Sequence, residues 1–138
     1  MGVGYLTALV TVHTLGDVTR FKKVSKAVVS FAGLDPREMS SAGRTRFGSI
    51  TKAGSPLLRH CLGQAVMTAI RSDARLKAFY KRLAKKKPKA LARTAASRKL
   101  LVKLSIMLRD SITAQDFDQR GRTVGNARRI ARPEMAAV

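Results

Sequence analysis

Apolar residues recur along this chain at helical spacing, and Gly, Pro and Asp punctuate the runs. After Gly2-Val3-Gly4, the residues Leu6, Leu9, Val10 and His13 mark one helical face, and Gly16 supplies a stop. Asp17 or Thr19 then caps a second helix running to about Ala32, with Phe21, Val24, Val28 and Phe31 inward, until Gly33-Leu34-Asp35-Pro36 ends it. Ser55-Pro56 reads as an N-cap followed by proline at the first helical position. The helix it opens carries Leu57, Leu58, Cys61, Leu62, Ala65, Val66, Ala69 and Ile70 on a wide apolar face. Asp73 caps the next helix, whose inner face is Leu76, Phe79, Tyr80 and Leu83, and Pro88 breaks it. A last helix runs from about Lys89 to Ile112, with Leu100, Leu101, Leu104, Met107 and Leu108 inward.

Between Pro36 and Gly54 the helical period disappears. Ser40, Ser41, Gly43, Gly48, Ser49 and Gly54 stand among basic residues, which predicts a loop or a short irregular hairpin. Beyond Asp116 the chain is polar, glycine-bearing and aperiodic, so a loose tail is expected. The predicted class is all-α: a compact helical domain over residues 1–112 with a helix-hairpin-helix-like start and one Gly/Ser-rich basic loop, then a flexible polar tail over 113–138.

Charge changes this picture most. The 138 residues hold 28 Lys+Arg against 8 Asp+Glu, a formal net charge of +20. A compact body so charged repels itself, and a polyanion is its natural counterweight. DNA or RNA fits best, because each neutralised phosphate releases condensed counterions; an anionic membrane surface is the other physical candidate. No run reaches the roughly 18 apolar residues of a membrane span, and Met1–Val12 has no basic n-region, so a cytoplasmic location and no membrane partner are expected. Aromatics make up only 5% and Trp is absent, which argues against stacked aromatic platforms as the main mode of base recognition. Cys61 is the sole cysteine, which excludes an intramolecular disulfide. With His13 and His60 it makes no convincing zinc set, and burial is its expected role.

Three stretches carry candidate chemistry. Gly2-Val3-Gly4 at a helix start can offer backbone N–H groups to a phosphate through Gly2 and Gly4, or be a flexible terminus that merely precedes a helix. Lys77, Lys81, Arg82, Lys85, Lys86, Lys87, Lys89 and Arg93 form a basic run that continues through Arg98, Lys99 and Lys103. Such runs are ordinarily solvated faces, yet this one nearly lacks acidic partners at helical spacing, which favours phosphate binding. In the loop, small residues allow close backbone approach, and Arg44, Arg46, Lys52 and Arg59 can surround a phosphate. A serine there attacks phosphorus only if a base or metal removes its proton, and no obvious base stands near: the closest carboxylates are Asp35 and Glu38, and the closest histidine is His60.

The order of motifs resembles a known family. Gly2-Val3-Gly4-x-x-Thr7-Ala8, Gly16-Asp17-Val18-x-x-Phe21 and Phe31-Ala32-Gly33-Leu34-Asp35-Pro36 are followed by Ser41-x-Gly43-Arg44, Gly48-x-Ile50-Thr51-Lys52-x-Gly54 and Leu58-Arg59. Ala78-Phe79-Tyr80, Lys89-Ala90 and Arg98-Lys99-Leu100-Leu101 continue in register. Over nearly all of residues 2 to 110 the chain resembles the C-terminal domain of insertion-sequence transposases of the 110/116/902 type. The resemblance implies DNA recombination by proteins that pair this domain with an N-terminal RuvC-like domain carrying four metal-binding acidic residues, guided by a structured bridge RNA. It implies a serine nucleophile that joins covalently to DNA, falling on Ser41, with Ser40 the match if the register slips by one. Ala42 stands where the family usually has Gly, and Thr51 where Ser is common.

Asp17, Asp35, Glu38, Asp73, Asp110, Asp116, Asp118 and Glu134 are scattered and compose no evident two-metal site. The expectation is therefore a truncated transposase fragment that binds DNA but cannot recombine it alone. It needs no cofactor of its own, since magnesium belongs to the missing domain, and any homo-oligomer belongs to the full-length protein. The rivals are a non-catalytic RNA- or DNA-binding protein, ribosome-associated included, and a standalone helix-hairpin-helix binder.

Overall fold

A computed structural model describes residues 2–41 and 43–120. Its elements in order are α1 (Tyr5–Leu15), a 3-10 turn (Val18–Arg20), α2 (Val24–Phe31), β1 (Pro36–Ser41), β2 (Arg44–Ile50), α3 (Pro56–Ser72), α4 (Ala74–Ala84) and α5 (Lys89–Asp110). Residues 114–120 are helical as well. The mostly helical class read from the sequence holds, and of the two readings of the 36–54 stretch the hairpin is the one found.

α3 and α5 carry the centre of the core. Leu58, Leu62, Val66 and Leu101 are fully enclosed with Leu15 and Val28, while Cys61 is buried as a small apolar group. The caps expected for the long helices form. Ser55 accepts from the Leu58 amide at 3.2 Å, and Asp73 accepts from the amides of Arg75 and Leu76 at 2.9 and 3.0 Å.

Several predicted faces need correction. α1 buries Thr7, Val10, Thr11 and Leu15, whereas Leu6, Leu9 and His13 face outward. The helix is apolar on most sides, so periodicity did not select a face. Thr11 can enter the core because its hydroxyl donates to the Thr7 carbonyl at 2.7 Å. The single helix expected from Asp17 or Thr19 to Ala32 is split. Asp17 caps only a 3-10 turn, and Phe21 is extended at φ −88° and ψ 96° before α2 begins at Val24. Phe31 is not inward but 40% exposed, packed edge-on against Phe21 with the Arg20 guanidinium 4.7 and 4.9 Å from the two rings. Leu57 and Leu108, also read as inward, are exposed.

At the C-terminal side, α5 ends at Asp110 with Ser111 in the left-handed region. Segment 114–120 folds back on α5 through Lys103–Asp118 and Arg120–Asp110 ion pairs, both 2.8 Å. The remainder of the expected tail, residues 121–138 with Glu134, lies outside the described residues.

Candidate nucleic-acid interface

The hairpin is a two-stranded antiparallel ribbon with register Glu38↔Phe47, Met39↔Arg46, Ser40↔Thr45 and Ser41↔Arg44. Side chains directly opposite share a face and alternate along each strand. Positions 39, 44 and 46 therefore fall on one side, and positions 38, 40 and 47 on the other. In the register position 41 is paired with Arg44, and the Ser40 hydroxyl donates to Glu38 Oε1 at 2.7 Å. In the sequence Glu38 is a near carboxylate, yet no base is evident within reach of a serine. The i, i+2 contact becomes visible only once the segment is known to be a strand.

No described hydrogen bond or ion pair occupies Arg44 or Arg46, and both are exposed. Met39 and Phe47 are exposed too, at 62% and 68%, so the ribbon has no core of its own. Its stability comes from where it joins the helices. Gly33, at φ +67°, lets its backbone pass Lys52–Gly54 so closely that a Cβ there lies 2.7 Å from the Gly54 nitrogen. At Gly54 a Cβ lies 2.7 Å from the Ala32 carbonyl carbon. Asp35 accepts from the Thr51 hydroxyl at 2.7 Å, its carbonyl accepts from the Thr51 amide at 2.9 Å, and the Lys52 amide donates to the Gly33 carbonyl at 3.0 Å.

These contacts sort the remaining loop candidates. Arg59 donates to the carbonyls of Ala32 and Gly54 at 3.2 and 2.6 Å, so its guanidinium clamps the hairpin base to α2. Lys52 leaves its backbone in the left-handed region at φ 57° with its side chain exposed. At the N-terminus, Gly2 at φ +71° packs on the backbone of α3, where a Cβ lies 2.7 Å from the Ala69 nitrogen. Gly4 caps α1 with open space around it.

The basic run divides in the same way. Lys77, Lys81, Lys85, Lys86, Lys87 and Lys89 are exposed along α4 and its turn into α5, and no ion pair among the described residues involves them. Lys85, Lys86 and Lys87 follow the last carbonyls of α4, where the helix dipole favours cations. Arg93 differs: its Nε and terminal nitrogen donate to the Gly63 carbonyl at 3.0 and 2.6 Å, tying α5 to α3. Lys103 also differs. It is 9% exposed, with Nζ 3.0 Å from Asp73 and 2.8 Å from Asp118. Burial pushes the Lys103 pKa down, but the two carboxylates outweigh it and hold it above the ordinary lysine value. Burial likewise pushes Asp73 up, and the Leu76 amide, Lys103 and the Arg75 amide hold it below the ordinary carboxylate value.

Every carboxylate in the described residues has a local partner. Asp17 caps the 3-10 turn, Asp35 takes Thr51 and Ser30, Asp110 takes Arg109 and Arg120, and Asp116 takes Thr113. No three His, Cys, Asp or Glu residues come together to hold a metal ion among the described residues, and no described helix is long and apolar enough to cross a membrane.

The model of the Transposase IS116/IS110/IS902 family matches residues 1–81, well over half of the chain. The chain belongs to this transposase family. It is also 41% identical over 61 residues to the "Transposase for insertion sequence element IS1111A" of Coxiella burnetii (strain RSA 493 / Nine Mile phase I). That match covers 44% of this chain and 16% of the Coxiella transposase. The family-matched region holds the whole hairpin, Arg59 and Lys81, while Lys85, Lys86 and Lys87 lie just beyond it.

Proposed function

We propose that this chain is the nucleic-acid-binding, serine-bearing portion of a transposase, acting in DNA recombination by phosphoryl transfer. The observation that carries the reading is the ribbon register, which pairs Ser41 with Arg44 beside Arg46 on an exposed hairpin of a transposase-family chain. The Arg44 and Arg46 guanidiniums, without an ion pair among the described residues, offer bidentate contacts to a phosphodiester and to the charge that grows on its oxygens during attack. In the step itself, the Ser41 oxygen forms a bond to phosphorus as the bond to one strand oxygen breaks. The serine proton passes to a base, and the departing oxygen gains a proton.

The described carboxylates are engaged in caps, hydrogen bonds and ion pairs, so this reading assigns the acidic, metal-holding half of that chemistry to the family's RuvC-like domain. The exposed lysines from Lys77 to Lys89 grip DNA, or a guide RNA, through phosphates rather than through bases. Gly4 and Lys52 remain available to add phosphate contacts, whereas Arg59 and Gly2 act by holding the fold.

The test supplies a RuvC-like acidic domain of this family in trans and looks for a protein–DNA adduct. Ser41→Ala is expected to abolish it and Ser40→Ala to leave it. Survival of the adduct in both variants overturns the nucleophile assignment. A second reading, a basic protein that binds nucleic acid without chemistry, draws on the unpaired lysines alone; it expects no adduct under any condition.

A further inference from the structure

Two of the chain's five phenylalanines, Phe79 and Phe117, line one concavity of about 550 Å3 between α2, α4, α5 and segment 114–120. That size lies within the roughly 300–1,000 Å3 of small-molecule sites. Arg75, Arg98 and Lys99 line the same cavity, and Lys103 is held in its wall by Asp73 and Asp118. Cations exceed carboxylates there, so the cavity favours an anion. Along α4, Arg75, Phe79 and Arg82 succeed one another at helical i, i+4 and i+7 spacing, giving a cation, a ring and a cation on one stripe. The Lys99 ammonium sits 4.1 Å from the Phe79 ring centroid and the Arg82 guanidinium 5.6 Å from it, while Lys103 Nζ is 5.3 Å from the Phe117 centroid.

A ring flanked by cations beside an open cavity matches both halves of a nucleotide. The π face takes a base, and the cations take its phosphate. Lys99 is exposed, so its ammonium can leave the ring for a phosphate when a base arrives. Phe79 stands two residues from both Lys77 and Lys81, so it lies on the side of α4 away from those lysines and toward Lys99 of α5. We propose that this cavity receives one unstacked nucleotide of the bound strand, with its base against Phe79 and its phosphate on Arg98 and Lys99. This inference rests on the nucleic-acid-binding reading. It adds a base-accepting site to a surface otherwise fitted only to phosphates.

The test measures affinity of the full chain for three DNA duplexes of equal length: fully paired, with one extrahelical adenine, and with an abasic residue at the same place. The adenine bulge is expected to bind roughly tenfold or more tighter than the abasic one, as for one base stacked on an aromatic side chain. Phe79→Leu, which keeps an apolar group and removes the ring, is expected to erase that preference and leave the paired duplex unaffected. Lys99→Glu, at an exposed position that spares the core, is expected to weaken the bulged duplex more than the paired one. The same probes built in RNA show which strand supplies the nucleotide, since the preference appears in the backbone the cavity receives. Equal binding of base-bearing and abasic bulges in both backbones overturns the proposal, as does a preference that survives Phe79→Leu. Failure to bind even the paired duplex sinks the nucleic-acid reading beneath it, whereas binding without base preference sinks the cavity alone.

Discussion

The hairpin and the α4–α5 turn are both rich in cations, yet they are built by opposite means. In the hairpin, Arg44 and Arg46 have no ion pair among the described residues and stand on a ribbon without a core, and the stabilising contacts are concentrated at its root, where Gly33, Gly54, Asp35 and Arg59 lock it to the helices. At the α4–α5 turn, free and engaged cations interleave along the same helices: Lys81, Lys85, Lys86 and Lys87 have no described ion pair, while Arg93 and Lys103 bind the core together. Charge density alone therefore does not locate a phosphate site. What locates it is which donors are still unspent.

The largest effects are expected at the root of the hairpin. Gly54→Ala places a methyl within 2.7 Å of the Ala32 backbone, and Gly33→Ala adds left-handed strain to a comparable clash. Each is expected to lose about 3 kcal/mol or more, read as a thermal unfolding midpoint well below that of the wild-type chain. A tolerated alanine at both positions breaks the claim that the ribbon is held by this crossing.

Next comes the ion-pair triad. Lys103→Met leaves Asp73 and Asp118 without their cation and is expected to cost about 2–4 kcal/mol. It also changes the pH response. Asp73 has a folded pKa below its ordinary value of 3.8, so its contribution is present above that pH and is lost as pH falls through the folded value. Lys103, raised above 10.5, contributes below that pH and loses its contribution as pH rises through the folded value. Chemical denaturation from neutral pH down to pH 3 is expected to show an acid decline in the wild-type chain and a shallower one in Lys103→Met. Equal slopes contradict the role given to this triad.

Arg59→Met and Arg93→Met remove charge-assisted bonds to carbonyls and are expected to cost about 1.5–3 kcal/mol each. Arg44→Ala and Arg46→Ala touch nothing described and are expected to stay within about 0.5 kcal/mol of the wild-type chain, yet to weaken DNA binding. If Arg59 and Arg44 exchange these behaviours, the division between structural and free guanidiniums is wrong.

The ends of α3 and α4 and most of the core were legible in the sequence because caps and breakers act locally: Ser55, Asp73 and Pro88 each do what their chemistry implies, whereas Asp17 caps only a 3-10 turn and the start of α2 carried no such signal. The face of α1 was not legible. Leu6 and Leu9 compete with Thr7 and Thr11 for burial, and a back-bonded threonine removes the penalty that usually decides. Nor were the roles of Arg59, Arg93 and Lys103, whose partners Gly54, Gly63 and Asp118 carry no sequence signal of a contact. The contact between Ser40 and Glu38 carries no signal in a loop and follows only from a strand, where i and i+2 share a face.

One measurement bears most directly on the division of labour: the slope of log affinity against log salt concentration for a DNA duplex. For the wild-type chain a steep slope is expected, falling by roughly 0.9 for each phosphate contact removed. Replacing Lys81, Lys85, Lys86 and Lys87 together with Gln is expected to flatten it by roughly 3.6 units, with the unfolding midpoint unchanged. Arg93→Met is expected to leave the slope as it was while lowering that midpoint. An unaltered slope in the four-lysine variant contradicts the central claim that the unspent cations of the α4–α5 turn grip nucleic acid.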